Sequence, residues 1–208
     1  MNQHVRDNLN ALTRAGSATG LSPTTSSADI TSSTSELSLR TAGAAGNTTG
    51  WLVPAGLIGT DRMVKLVAHG DMLYNQAGSP TLRFRVYLRD GSGTNTLLFD
   101  DTATGSAGTS ASRQPWHMEI NVAALGSASS QIMWGQFHWV KDTAPTSGIG
   151  GINNIDSAPA TSAPSIFADD SASAVDMSAA RYLDVTGTWS TSSASLSWRL
   201  KYATLVAL

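Results

Sequence analysis

From Arg62 to the C-terminus, apolar and polar side chains alternate one by one in several separate runs, and this period of two narrows the fold more than any other feature. Thr81 to Arg89 shows it most cleanly. Leu82, Phe84, Val86 and Leu88 point one way, while Arg83, Arg85, Tyr87 and Arg89 point the other. A strand with one apolar face needs a second layer to cover that face. The same pattern predicts strands over Arg62 to His69, Gln114 to Val122, Ser130 to Val140, Arg181 to Thr188 and Leu196 to Val206. In the last of these Leu196, Trp198, Leu200 and Tyr202 share one face, opposite Ser197, Arg199, Lys201 and Ala203.

Turn chemistry separates the runs. Asp90-Gly91-Ser92-Gly93 predicts a hairpin into Thr96 to Phe99, and Thr102 to Ser112 reads as a Gly/Ser/Ala loop. Asp71 to Pro80 reads as a loop with Tyr74 and Gln76 exposed near its tip. Trp51 to Leu57 carries Pro54, so it reads as a short edge strand or an irregular segment. Thr143 to Met177 has no sustained period and contains Pro145, Pro159 and Pro164, which predicts a long connection with one or two short strands at most. A crossover of that length fits a Greek-key or jelly-roll arrangement, in which a late strand returns beside an early one. The expected fold is therefore all-β: a jelly-roll-like β-sandwich over 36–208 with an extended N-terminal arm over 1–35.

Within the arm, Val5, Leu9 and Leu12 are spaced for a short amphipathic turn that Gly16 and Gly20 end. Ser22 to Ser35 is almost entirely Ser, Thr, Ala and Pro, too poor in apolar side chains to offset the entropy of ordering alone. Two readings stand: a disordered leader, or an arm that orders against a neighbouring subunit. Val5, Leu9 and Leu12 are the candidate interface residues under the second.

Charge excludes some partners. Lys+Arg number 13 against 15 Asp+Glu, a net of -2, and the cations are scattered, so no phosphate-backbone partner is expected. Charged residues make up only 13% of the chain, and a surface of hydroxyls and methyls suits assemblies of many copies. No Cys is present, which removes disulfides and thiolate metal sites. The start of the chain lacks the pattern of a signal peptide, and no window approaches the roughly 18 apolar residues of a spanning helix, so no membrane partner is expected.

No catalytic constellation is legible. The P-loop, the dinucleotide fingerprint and the G-x-S-x-G elbow are all absent, and the acidic residues Asp100, Asp101, Asp169 and Asp170 do not follow a calcium-loop order. The expectation is a protein that is not an enzyme and holds no cofactor or metal. Of the four His, only His117 and His138 are placed to meet, if their strands pair, with Glu119 on the same face as His117; such a trio has ligand chemistry but none of the usual close spacings. The three Arg of Thr81 to Arg89 read as a solvated face balanced by nearby acids such as Asp100, with subunit contact and ligand binding as alternatives.

Binding through aromatic surface fits the sequence better. Ser130 to Val140 carries large side chains at both parities, so one face goes to the core and the other meets a loop or a second chain. Met133, Phe137 and Trp139 are the candidate interface on that second face. Tyr74 and Trp139 are candidate ligand contacts for stacking on a sugar. At least four of the six Trp are expected in the core.

Several stretches together carry a resemblance: Met63-Val64-Lys65-Leu66-Val67-Ala68-His69-Gly70, Ser79-Pro80-Thr81-Leu82-Arg83-Phe84-Arg85-Val86-Tyr87-Leu88, Gln114-Pro115-Trp116-His117-Met118-Glu119-Ile120, and Arg181-Tyr182-Leu183-Asp184-Val185-Thr186-Gly187-Thr188-Trp189-Ser190 followed by Ser193-Ala194-Ser195-Leu196-Ser197. In strand and turn chemistry the chain resembles bacteriophage virion proteins with jelly-roll domains, found as head-decoration, tail or fibre components. The resemblance implies a structural virion protein, a capsid decoration or stabilising subunit that is made in the host cytoplasm and resides in the virion. It also implies a trimer and contacts with other virion proteins, the major capsid protein among them, with the N-terminal arm reaching a neighbour. The alternative it leaves open is a tail or fibre receptor-binding module that recognises host surface glycan.

Overall fold

A computed structural model describes residues 29–31, 33–78, 80–104, 110–139, 165–173 and 175–208. Val5, Leu9 and Leu12 lie outside them. The described residues form eleven strands and no helix: β1 (Ile30–Thr31), β2 (Leu37–Ser38), β3 (Trp51–Val53), β4 (Met63–Tyr74), β5 (Thr81–Arg89), β6 (Asn95–Thr104), β7 (Ser110–Ser127), β8 (Ser130–Trp139), β9 (Ser165–Ser173), β10 (Arg181–Trp189) and β11 (Leu196–Ala207). They build a six-stranded sheet, β1-β11-β4-β7-β8-β9, and a facing sheet, β2-β10-β5-β6, with β3 continuing the row of β2 along β10.

The pairings β1–β11, β2–β10, β4–β7 and β5–β6 are all antiparallel, and β11 lies against β4 as β10 lies against β5. This is a long ribbon folded back on itself, the jelly-roll-like sandwich expected from the alternating strands and the long crossover. β8 and β9 are added at the free edge of β7 before the chain crosses to β10. β9 is a strand within the expected long connection.

The core fills the space between the sheets. Leu66, Met118, Ile120, Leu183, Val185 and Leu205 are buried, and each such side chain contributes about 1.5–3 kcal/mol. Trp51, Trp116, Trp189 and Trp198 are buried too, as expected for four of the six Trp. Rings from both sheets interlock: Trp116, Phe137 and Trp198 stand 5.7–5.9 Å apart, and Phe84 of the opposite sheet lies 5.7 Å from Phe137. Tilted and edge-on geometry adds about 0.5–1.5 kcal/mol per pair beyond area burial.

Three expectations need correction. Met133 and Phe137 do not form a second surface; they are 1% and 2% exposed and face the core, because that parity of β8 is the one turned toward the opposite sheet. The other parity leaves Trp134 at 37% exposure. Tyr74 is not at an exposed tip. β4 runs five residues past His69 as a strand, which buries the Tyr74 ring and lets its hydroxyl donate to the Pro80 carbonyl at 3.0 Å. Finally, β11 does not keep one parity. A register shift between Leu200 and Tyr202 turns Tyr202 outward and Ala203 inward, the effect of one extra residue in a ladder of period two. For Trp139, the backbone pairs with Trp116.

Ordered chain also begins before Glu36. Ile30 pairs with Trp198, is fully buried, and accepts a hydrogen bond at its carbonyl from Trp189 Nε1 at 3.1 Å.

Candidate functional site

Three clusters of polar side chains stand out. The first is buried. Asp184 on β10 has no exposure, and its carboxylate accepts from Ser38 Oγ at 2.6 Å, Thr49 Oγ1 at 2.7 Å and Arg89 Nε at 2.8 Å. Burial pushes its carboxyl up, against the pull of the two hydroxyls and Arg89. Arg89 is 5% exposed and its guanidinium lies 4.2 Å over the Tyr87 ring, so this Arg departs from the expected solvated face. Arg83 and Arg85 fit that expectation, since both pair with Asp100 and Arg85 also binds Glu36 at 2.7 Å. The Asp184 cluster fastens the 39–50 segment over the sheet; each oxygen is engaged by protein donors, which makes it a structural clamp.

The second cluster grips the root of the N-terminal segment. Asp29 binds Arg199 of β11 at 2.5 and 2.8 Å and Arg113 of β7 at 2.6 Å. Arg113 also reaches Asp71 at 2.6 Å and Ser197 Oγ at 2.5 Å, and Lys201 closes on Asp71 at 3.4 Å. Burial works against ionisation of Asp29, yet hydrogen bonds and charge from Arg199 and Arg113 outweigh it and hold the carboxyl below its ordinary value. Sequence reading placed residue 29 in the arm; its partners lie 84 and 170 residues away, so no local pattern announces them.

The third cluster occupies the outer face of the six-stranded sheet. Register places Tyr202, His69, His117 and His138 in one row across β11, β4, β7 and β8. Residues directly opposite in antiparallel strands share a face. The His69 and His117 rings are 4.5 Å apart with their Nδ1 atoms at 3.2 Å, and Tyr202 flanks His69 at 6.2 Å. On the far side of His117, Nε2 lies 3.3 Å from Glu119 Oε1, and Glu119 Oε2 is held by Lys65 at 2.6 Å. Burial, then the charge of His117, lowers the basicity of His69, with Glu119 acting the other way. The Lys65 hydrogen bond, against burial, keeps Glu119 ionised to lower pH than usual. Exposed Trp134, opposite Asn121, lies on the same face four residues along β8 from this row.

The expected meeting of His117 and His138 is thus present in the backbone register, with Glu119 beside His117. His69 was missed, because only the pairing of β4 with β7 brings it there. Among the described residues, no set of three His, Cys, Asp or Glu converges as a ready metal cage. Of the candidate ligand contacts, Tyr74 is buried; among the described residues Trp134 and Tyr202 are exposed on this face.

Fold and site together define a jelly-roll domain with a pinned N-terminal root and a His69–His117 imidazole pair on the outer face of its larger sheet. Compared with protein-family models, curated proteins and solved structures, the chain matches none.

Proposed function

We propose that the chain is a structural jelly-roll subunit of a bacteriophage virion, a capsid decoration or stabilising protein that acts through protein–protein interfaces and carries out no catalysis. Its partners are copies of itself, as a trimer, and other virion proteins, the major capsid protein among them; it is made in the host cytoplasm and resides in the virion. The observation that carries this reading is the grip of Arg113 and Arg199 on Asp29. Two strands of the larger sheet hold the residue that follows a Ser/Thr/Ala-rich leader, and an edge strand beside it is locked by burial of Ile30. A fixed root gives a leader a defined exit, as a segment that reaches a neighbour requires.

Light scattering over a range of concentrations, with limited proteolysis of free and particle-bound protein, tests the reading. A trimer and a leader cleaved only in the free form are expected. A monomer at every concentration, with equal cleavage in both states, overturns it.

One observation favours a second reading, the glycan-binding module of a tail or fibre. Trp134 at 37% and Tyr202 at 42% exposure flank a polar strip with Lys65 and Glu119, an arrangement suited to stacking on a sugar face. A glycan array on which wild type and Trp134→Ala give the same signal removes it.

A further inference from the structure

We infer that the contact between His69 and His117 is a proton-operated switch on the outer face of the six-stranded sheet: it stays closed while the two rings hold at most one added proton between them, and a second proton opens it. The switch needs none of the assembly contacts proposed above and stands or falls separately.

The geometry sets the limit. The two Nδ1 atoms stand 3.2 Å apart and the ring centroids 4.5 Å apart. A contact of that length has room for one hydrogen between the nitrogens, and that hydrogen must point at a lone pair. With both rings neutral, one Nδ1 carries the hydrogen and the other accepts it. With one ring protonated, the cation donates and the neutral ring still accepts, now in a charge-assisted bond. With both protonated, each Nδ1 is a donor, no acceptor is left between them, and two positive charges face one another. The rings must then part. Groups coupled this closely take up their protons as a pair, in two steps.

The surroundings decide which ring moves. Glu119 of β7 lies 3.3 Å from His117 Nε2 and is itself held by Lys65 of β4 at 2.6 Å, so the His117 ring is braced on its far side. His69 is exposed and has no such brace. Tyr202 of β11 flanks it at 6.2 Å, and the next carboxylate along β4, Asp71, is already taken by Arg113 of β7 and Lys201 of β11. On β8 the residue in register with His117 is His138. His69 is therefore the ring that swings into water. Burial, then the charge of His117, lowers its basicity, while Glu119 acts the other way. The unfolded chain protonates this ring first, so its contribution to stability is full above the ordinary value of 6.5 and is lost as pH falls from there through the lowered folded value. Opening also changes what the face displays. Lys65, Arg113, Arg199 and Lys201 are offset by Asp29, Asp71 and Glu119 while the rings are neutral, and two added protons leave the face strongly positive.

The test uses full-length protein labelled with 15N and long-range proton–nitrogen NMR of the imidazoles from pH 8 to pH 4.5, which reports the protonation of each ring nitrogen, with ring-to-ring proton contacts recorded in parallel. His69 is expected to titrate below 6.5 in the wild type and closer to 6.5 in His117→Gln, with the same upward move in a His138→Gln background, which assigns the coupling to the pair. Contacts between the rings of His69 and His117 should be present at pH 8 and absent once both are protonated. Backbone spectra at pH 8 check that the variants keep the fold, and His117→Asn replaces His117→Gln if that one does not; the ring contacts of the wild type need no variant. The same His69 midpoint with and without His117 overturns the inference. So do ring contacts that persist with both rings protonated.

Discussion

A methyl group added at Gly70 should destabilise this fold by about 1–3.5 kcal/mol. Gly70 sits in the middle of β4, paired with Leu200 on one side and Trp116 on the other. A Cβ there would lie 1.9 Å from the Arg199 carbonyl oxygen and 2.5 Å from Trp116 Cζ2. Neither neighbour can yield cheaply. The carbonyl belongs to β11 beside the bulge, and the indole is clamped over Gly70 by the bond from Trp116 Nε1 to that same carbonyl at 3.1 Å. Gly70→Ala must either move Trp116 out of its contact with Phe137 and Trp198 or push β11 away from β4. Overpacking of this kind costs about 1–3 kcal/mol and sometimes more, and the lost indole hydrogen bond adds about 1 kcal/mol. The lower backbone entropy of Ala returns about 0.5–1 kcal/mol. The net expectation is about 1–3.5 kcal/mol, or a fall in Tm of about 2–14 °C for a chain of this size. Urea unfolding followed by Trp fluorescence and circular dichroism measures it. Trp116→Leu alone should destabilise by creating space, yet adding it to Gly70→Ala should cost far less than the sum of the two single changes, since it removes one of the clashing partners. A Gly70→Ala protein within about 0.5 kcal/mol of wild type, or strictly additive costs, would refute the steric account.

Two further outcomes follow from the charged clusters. Arg89→Met strands the buried Asp184 carboxylate and should cost about 3–5 kcal/mol, whereas Arg89→Met with Asp184→Asn should recover much of that; a loss under 1 kcal/mol for the single variant in urea unfolding contradicts the clamp. Acid should release β1 and the β5–β6 pairing. Asp29 and Asp100 ionise below the ordinary carboxylate value of 3.8 in the folded chain, so their contribution is full above that pH and fades as pH falls through their folded values. Urea midpoints measured from pH 7 to pH 2.5 should drop below about pH 4, less steeply in Asp29→Asn; a flat profile counts against both pairs.

Much of the fold is legible in single strands. β5 matches its expected bounds because Leu82, Phe84, Val86 and Leu88 meet an apolar layer while Arg83 and Arg85 meet Asp100 across one strand pair. β10 and β11 end within a residue of expectation for the same reason. β8 was legible as a strand but not in its orientation. With large side chains at both parities, local pattern is balanced, and only the presence of Trp116, Trp198 and Phe84 on one side sends Phe137 inward and leaves Trp134 exposed. The reversal at Tyr202 was hidden too, since a bulge is a property of two strands rather than one.

By itself the sequence determined that this chain is a sandwich: period-two side chains cannot be buried except in facing sheets, and that constraint is local. The tertiary structure decided what the sheets display. His69 and His117 are 48 residues apart, and Asp29 and Arg199 are 170 apart. Their contact depends on which strands become neighbours and on a register good to one residue, and both are settled by how the whole core packs.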